Sequence, residues 1–187
     1  NTDLSVLAVL SSLGERQDRG EGRSLLGINA EIAKASESQG LLRSQPDDLM
    51  MVGREWRPLH EAIALTRFPY IDGLTWNLQR AKSIVENSGI KLRDNGKWRV
   101  FAELLDQEKW SIYEGITKFV ATNSGTELLP LEGIRGMTYT LLKEDKGTPL
   151  RDAREYSDLL GICGKVQESG VAISVCLGDR FKMLAKA

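Results

Sequence analysis

The chain has 187 residues, 41% of them hydrophobic and 27% charged, which suits a globular protein long enough to bury a core. With 25 Lys and Arg against 26 Asp and Glu, the formal net charge is −1, so no global positive field recruits nucleic acid and any anion-binding patch must be local. No apolar run approaches the roughly 18 to 20 residues of a membrane span. Cys163 and Cys176 lack the companions that a zinc site or a disulfide framework needs, and they read as buried thiols in a reducing compartment.

The start at Asn1 has no initiator Met and no basic region before its apolar run, so it reads as the interior of a larger protein rather than a signal peptide. Residues 4–13 are apolar or small, and their Leu and Ala content predicts a helix. The stretch "LGERQDRGEGR" (13–23) then ends it with three glycines, three arginines and three carboxylates. On spacing alone this is a solvated loop, with Arg16, Arg19 and Arg23 pairing with Glu15 and Glu21 or clamping a phosphate. Residues 24–42 place Leu25, Ile28, Ile32 and Ala35 at helical spacing before Gly40, a C-cap signal. "RSQPDD" (43–48) carries a turn and N-cap signal.

Pro58 suits the first turn of a helix over 58–66, which Pro69 prevents from continuing. In "GREWRPLHEA", Trp56 among Arg54, Arg57 and His60 could stack a base beside a phosphate, but an amphipathic helix entry anchored by Trp56 explains it as well. His60, without His or Cys companions, makes a poor metal ligand. The spacing predicts an amphipathic helix over 75–88, with Trp76, Leu78, Ala81, Ile84 and Val85 as its apolar stripe. Asn95-Gly96 predicts a type I′ hairpin within 90–101. Helix resumes over about 102–122, with Asp106 a candidate N-cap, and "TNSGTELLPLEG" reads as loop.

Beyond it, "GMTYTLLKED" predicts a strand, "TPLRDAREYSDLLGICGK" a helix starting near Thr148-Pro149, and "GVAISVCLG" an apolar, β-branched strand. Arg151 and Arg154 lie in the first turns of that helix, where backbone N–H groups favour anions; Arg151 with Glu155 is equally an ordinary i, i+4 surface pair.

Four segments resemble one family together and in its order: "LSSLGERQDRGEGRSLLGINAEI", "GREWRPLHEAIALTRFPYIDGLT", "GTPLRDAREYSDLLGICGK" and "GVAISVCLGDR". They are similar to the archaeal branch of the RecJ-like DHH phosphoesterases, single-strand-specific exonucleases and their replisome-associated relatives. The resemblance implies a helix-rich mixed α/β fold: the tail of a DHH-type α/β domain over 1–45, a mostly helical insertion with a small hairpin over 46–125, and a return to the DHH core over 126–187. It implies a parent that hydrolyses single-stranded DNA from 5′ to 3′ with two Mn²⁺ or Mg²⁺ ions, acting in repair and replication in the cytoplasm at the nucleoid. Most metal ligands, including the Asp-His-His triplet, are expected upstream, so no metal and no turnover are expected of these residues alone.

The family's last acidic ligand aligns with Glu15 of "SSLGE", one methylene longer than the family's Asp. Its "CGR" segment aligns with "CGK", so Lys165 keeps the charge and loses the planar fork. By the same resemblance, Arg19, Arg23, Arg151, Arg154 and Lys165 are nucleic-acid or phosphate contacts, and the insertion docks the GINS complex. Aromatics concentrate there, and Trp98, Phe101, Trp110 and Tyr113 are the expected partner contacts; filling the module's own core is the competing role. A non-catalytic scaffold binding GINS, and a DHH phosphodiesterase acting on short oligonucleotides or cyclic dinucleotides, are the alternative functions.

Overall fold

A computed structural model describes residues 4–124, 131 and 133–179. The fold is mixed α/β and helix-rich, as expected, and the chain divides into two compact units. Among the described residues, no helix is long and apolar enough to cross a membrane.

The first unit comprises Asn1–Ser44, Tyr139–Asp145 and Leu150–Ala187. Helix α1 (Leu4–Gly14) buries Val9, Leu10 and Leu13 and packs against α2 (Gly27–Ser38) and α6 (Ala153–Lys165). Gly14 is needed for that approach: a Cβ there would stand 2.8 Å from Ser157 Oγ, whose hydroxyl donates to the Leu10 carbonyl at 2.9 Å. The buried face of α2 is Ala33 and Ser36, whereas Ile28 and Ala35 of the expected stripe are exposed and Leu25 is buried ahead of the helix. The late start explains the shift in phase, because Leu26 is extended and Gly27 has φ +55°. Gly40 ends α2 as expected: at φ +65° it bonds back to Glu37, and Leu41 N–H reaches Ser36 O at 3.0 Å, a Schellman closure.

Helix α6 is capped by Asp152, which accepts from the N–H groups of Arg154 and Glu155, so the cap lies four residues beyond Thr148. The run expected to be a strand is helix α7 (Ser169–Cys176), packed on α6. A β-branched run of this length is compatible with either state. Among the described residues it pairs with no strand, and a helix is the form that satisfies its backbone internally. Both cysteines are half-buried rather than buried.

The chain passes to the second unit (Gln45–Thr138 and Lys146–Pro149) along β1 (Leu42–Leu49) and returns along β4 (Arg135–Leu141). These strands pair antiparallel: Leu142 N–H donates to Leu41 O at one end and Met50 N–H to Ile134 O at the other. The expected turn at "RSQPDD" is therefore strand. Pro46 is tolerated because, among the described residues, β1 has β4 as its one neighbour, and Asp47 at φ +56° breaks its regularity.

Within this unit α3 (Leu59–Leu65), with Pro58 at its N-cap, packs on α4 (Leu78–Asn87), and α4 on α5 (Asp106–Ser124). Ala81, Ile84 and Val85 form the buried face of α4 as expected. Trp76 and Leu78 do not join it: both are exposed, Trp76 preceding the Asn77 cap in a left-handed conformation. Ile112, Ile116 and Val120 recur at i, i+4 and i+8 on α5 and are wholly buried. The hairpin forms as expected, Arg93–Asp94 (β2) pairing with Lys97–Trp98 (β3) around Asn95 and Gly96, both at positive φ. Residues 101–103 are a 3-10 turn rather than the start of α5, and Thr122–Ser124, expected in a loop, extend it. The rest of that loop, 125–130 and 132, lies outside the described residues.

One buried carboxylate ties these elements together. Asp48 Oδ1 accepts from Lys109 Nζ at 2.7 Å and from Leu49 N–H at 2.8 Å, while Oδ2 accepts from Thr138 Oγ1 at 3.0 Å and lies 3.6 Å from Arg54 Nη1. Arg54 also pairs with buried Glu55 at 3.0 Å. Asp48→Asn would take from Lys109 the carboxylate it pairs with and leave Arg54 with Glu55, and a loss of about 3 to 5 kcal/mol in urea unfolding is expected. A loss under about 1 kcal/mol would mean the carboxylate does not hold the unit.

Candidate functional site

In the first unit, the "LGERQDRGEGR" loop is organised around Asp18. Its buried carboxylate lies 2.8 Å from Arg23 Nη2 and 3.1 Å from both Nε and Nη2 of Arg154, whose Nη2 also donates to Arg23 O at 2.7 Å. Arg154 further stacks over Tyr139, whose hydroxyl accepts from Leu25 N–H at 2.9 Å. Burial lowers the pKa of Arg154, and Arg23 adds to the effect, while Asp18 and Asp152 oppose it. Burial likewise raises the pKa of Tyr139.

Three expected nucleic-acid contacts are therefore committed to the fold's own acceptors: Arg23 and Arg154 to Asp18, and Arg151 to the carbonyls of Leu142 and Glu144. Arg19 and Lys165 are exposed, Arg19 donating to the Arg16 carbonyl at 3.3 Å and Lys165 closing α6 at its negative end. Glu15 is exposed just beyond α1. Among the described residues, no group of three or more His, Cys, Asp or Glu side chains is gathered to hold a metal.

The expected partner contacts of the second unit divide. Phe101 is 1% exposed and belongs to the core, so its ring cannot face a partner. The other three are reachable but already covered by the chain's own cations. Arg93 lies 3.9 Å over Trp98, with the His60 ring at 5.2 Å on the same indole. Arg135 lies over Trp110 and Tyr113 at 4.7 and 5.1 Å and is neutralised by Asp47. These last residues border a cleft of about 450 Å³ between β1 and α5, with Lys109 and Asp106 on its walls.

A second exposed apolar group lies outside the expected partner contacts. Phe68, Tyr70 and Trp76, in the segment between α3 and α4, and Leu78, the first residue of α4, are 76%, 53%, 68% and 48% exposed. Tyr70 meets Trp76 edge to face at 5.8 Å, and with Leu78 they border an open hollow of about 580 Å³. The signal was there, six large apolar residues within eleven positions broken by Pro69 and Gly73, but helical spacing absorbed Trp76 and Leu78 into the stripe of α4.

Residues 51–128 match the model of the DHH-CID domain. The match covers α3, α4, the hairpin and α5, and it supports a DHH-family protein. Within that family it supports the RecJ-like branch. Among curated proteins, none matches this chain.

Arg99 links the hairpin to α5 through a two-pronged pair with Glu108, at 2.9 and 2.8 Å. Hydrogen bonding to Arg99 lowers the Glu108 pKa, assisted by Leu105 N–H, and the same bond raises that of Arg99. A depressed carboxylate pKa contributes stability that is full above the unfolded value of about 4.3 and is lost as pH falls through the lower folded value. Glu108→Gln should flatten the fall of unfolding free energy below about pH 4.3. An unchanged acid slope would show that the pair contributes nothing.

Proposed function

We propose that this chain is part of a RecJ-like DHH phosphoesterase that degrades single-stranded DNA from 5′ to 3′ in replication and repair, at the nucleoid in the cytoplasm, and that its inserted module docks GINS. The observation that carries this reading is the DHH-CID match over 51–128, which falls on a unit with its own core and with aromatic side chains on its surface. Mn²⁺ or Mg²⁺ would supply the activated water of the parent enzyme. The residues described here do not fit a two-metal site, since Glu15 stands without companion ligands, and no hydrolytic step is assigned to them. Their part is docking and positioning.

A non-catalytic scaffold joining GINS to the helicase is the second reading, favoured by Glu15 standing where the family has aspartate. The full-length protein, supplied with Mn²⁺ and end-labelled single strands, separates these functions. The nuclease reading expects mononucleotides released from the 5′ end and abolition by chelation. Intact strands together with GINS binding would select the scaffold, and preferential cleavage of short oligonucleotides or cyclic dinucleotides would replace both.

A further inference from the structure

We infer that the Phe68–Leu78 segment is the protein-docking surface of the module, and that its occupant is a partner face with an apolar groove rimmed by carboxylates. The inference rests on the GINS-docking reading and assigns that docking to residues other than Trp98, Trp110 and Tyr113.

The segment is exposed but built. Its base is fixed by buried Ile71 and Leu74. Thr75 Oγ1 accepts from Ile71 N–H at 2.9 Å, Thr75 N–H donates to Ile71 O at 2.9 Å, and Trp76 N–H donates to Ala64 O at 2.7 Å. A backbone held in this way loses little conformational entropy when a partner binds. Trp76 is held at φ +65°, a conformation disfavoured for a bulky residue and natural to glycine. Strain of this kind persists where the surrounding fold over-determines it, commonly at binding surfaces.

The aromatics differ in what covers them. The rings of Trp98, Trp110 and Tyr113 each carry an arginine of the same chain, and Arg67 lies 5.7 Å from the Phe68 ring, whereas Trp76 meets the ring of Tyr70 and remains 68% exposed. Contiguous exposed rings on a rigid loop are the composition of an interface core. Charge selects the occupant: with Lys82 cancelled by exposed Glu86, Arg67 and Arg80 stand against Asp72, and this local positive excess is complementary to a carboxylate rim. Lys82 is already paired with Glu86, and Arg80 donates to Gly73 O. Few cations are left to follow a phosphate backbone, and Leu78 adds aliphatic surface that suits a protein groove better than a stacked base.

Titration calorimetry of the full-length protein with purified GINS tests the surface. Trp76→Gly and Tyr70→Ala are each expected to weaken binding about tenfold or more. Arg67→Glu with Arg80→Glu should weaken it and remove part of its salt dependence, and Trp110→Ala should change it less than about twofold. Trp76→Gly relieves the left-handed strain, so its melting temperature should not fall; if it does, Tyr70→Ala and the charge reversals decide. Wild-type binding with all these variants unaffected would overturn this surface and leave the GINS reading standing. No wild-type binding would remove that reading and this inference with it. Loss of single-strand affinity in Trp76→Gly with GINS binding intact would make the segment a nucleic-acid platform and overturn the protein assignment.

Discussion

The second unit depends on one desolvated carboxylate. Asp48 sits at the end of β1 and accepts from α5 through Lys109, from β4 through Thr138, and faces Arg54 of the segment leading to α3. A buried charge of this kind is costly unless its oxygens are satisfied, and both are. Its geometry therefore fixes three separate stretches of chain relative to one another, more specifically than apolar packing does. The apolar core of Leu59, Phe101, Ile112 and Ile116 supplies the larger stabilisation, and Asp48 supplies the register. The Arg99–Glu108 pair extends the same logic to the hairpin.

The frame so fixed determines which aromatics are available. Arg135 is held by Asp47, next to Asp48 on β1, and from there it covers Trp110 and Tyr113. The cleft beside α5 is thus partly filled by the chain itself. Among the described residues no arginine covers Tyr70 or Trp76, and their loop is anchored to α3 through Ala64. In the first unit two of the arginines that looked suited to phosphate, Arg23 and Arg154, are likewise taken up by the chain itself, sharing Asp18. The loop at "LGERQDRGEGR" is neither a plain solvated turn nor a gathered metal site; its charge closes the approach of α6.

What could be read from the residues was local. Asn95-Gly96 specified the hairpin, Gly40 the end of α2, and the i, i+4 pattern the buried residues Ala81, Ile84 and Val85 of α4, because each depends on neighbours within a turn or two. What could not be read depends on residues distant in the chain. Asp48 meets Lys109 and Thr138 across separations of 61 and 90 positions, and nothing in "QPDD" distinguishes that partnership from a turn. Val171, Ile173 and Val175 alternate as a strand would, yet with no strand beside them among the described residues they form α7. Phe101 looked like a surface contact because aromaticity is visible in a sequence and burial is not. The functional assignment came from resemblance across segments, and the DHH-CID match supports its coarse form.

The central claim is that a module fixed by Asp48 displays Phe68–Leu78 to a partner. Hydrogen exchange on the full-length protein with and without GINS tests it most directly. Exchange should slow at the amides of 67–80 when GINS is added, while 106–113 beside the α5 cleft keep their rates. Slowing confined to 106–113, with 67–80 unchanged, would contradict the account.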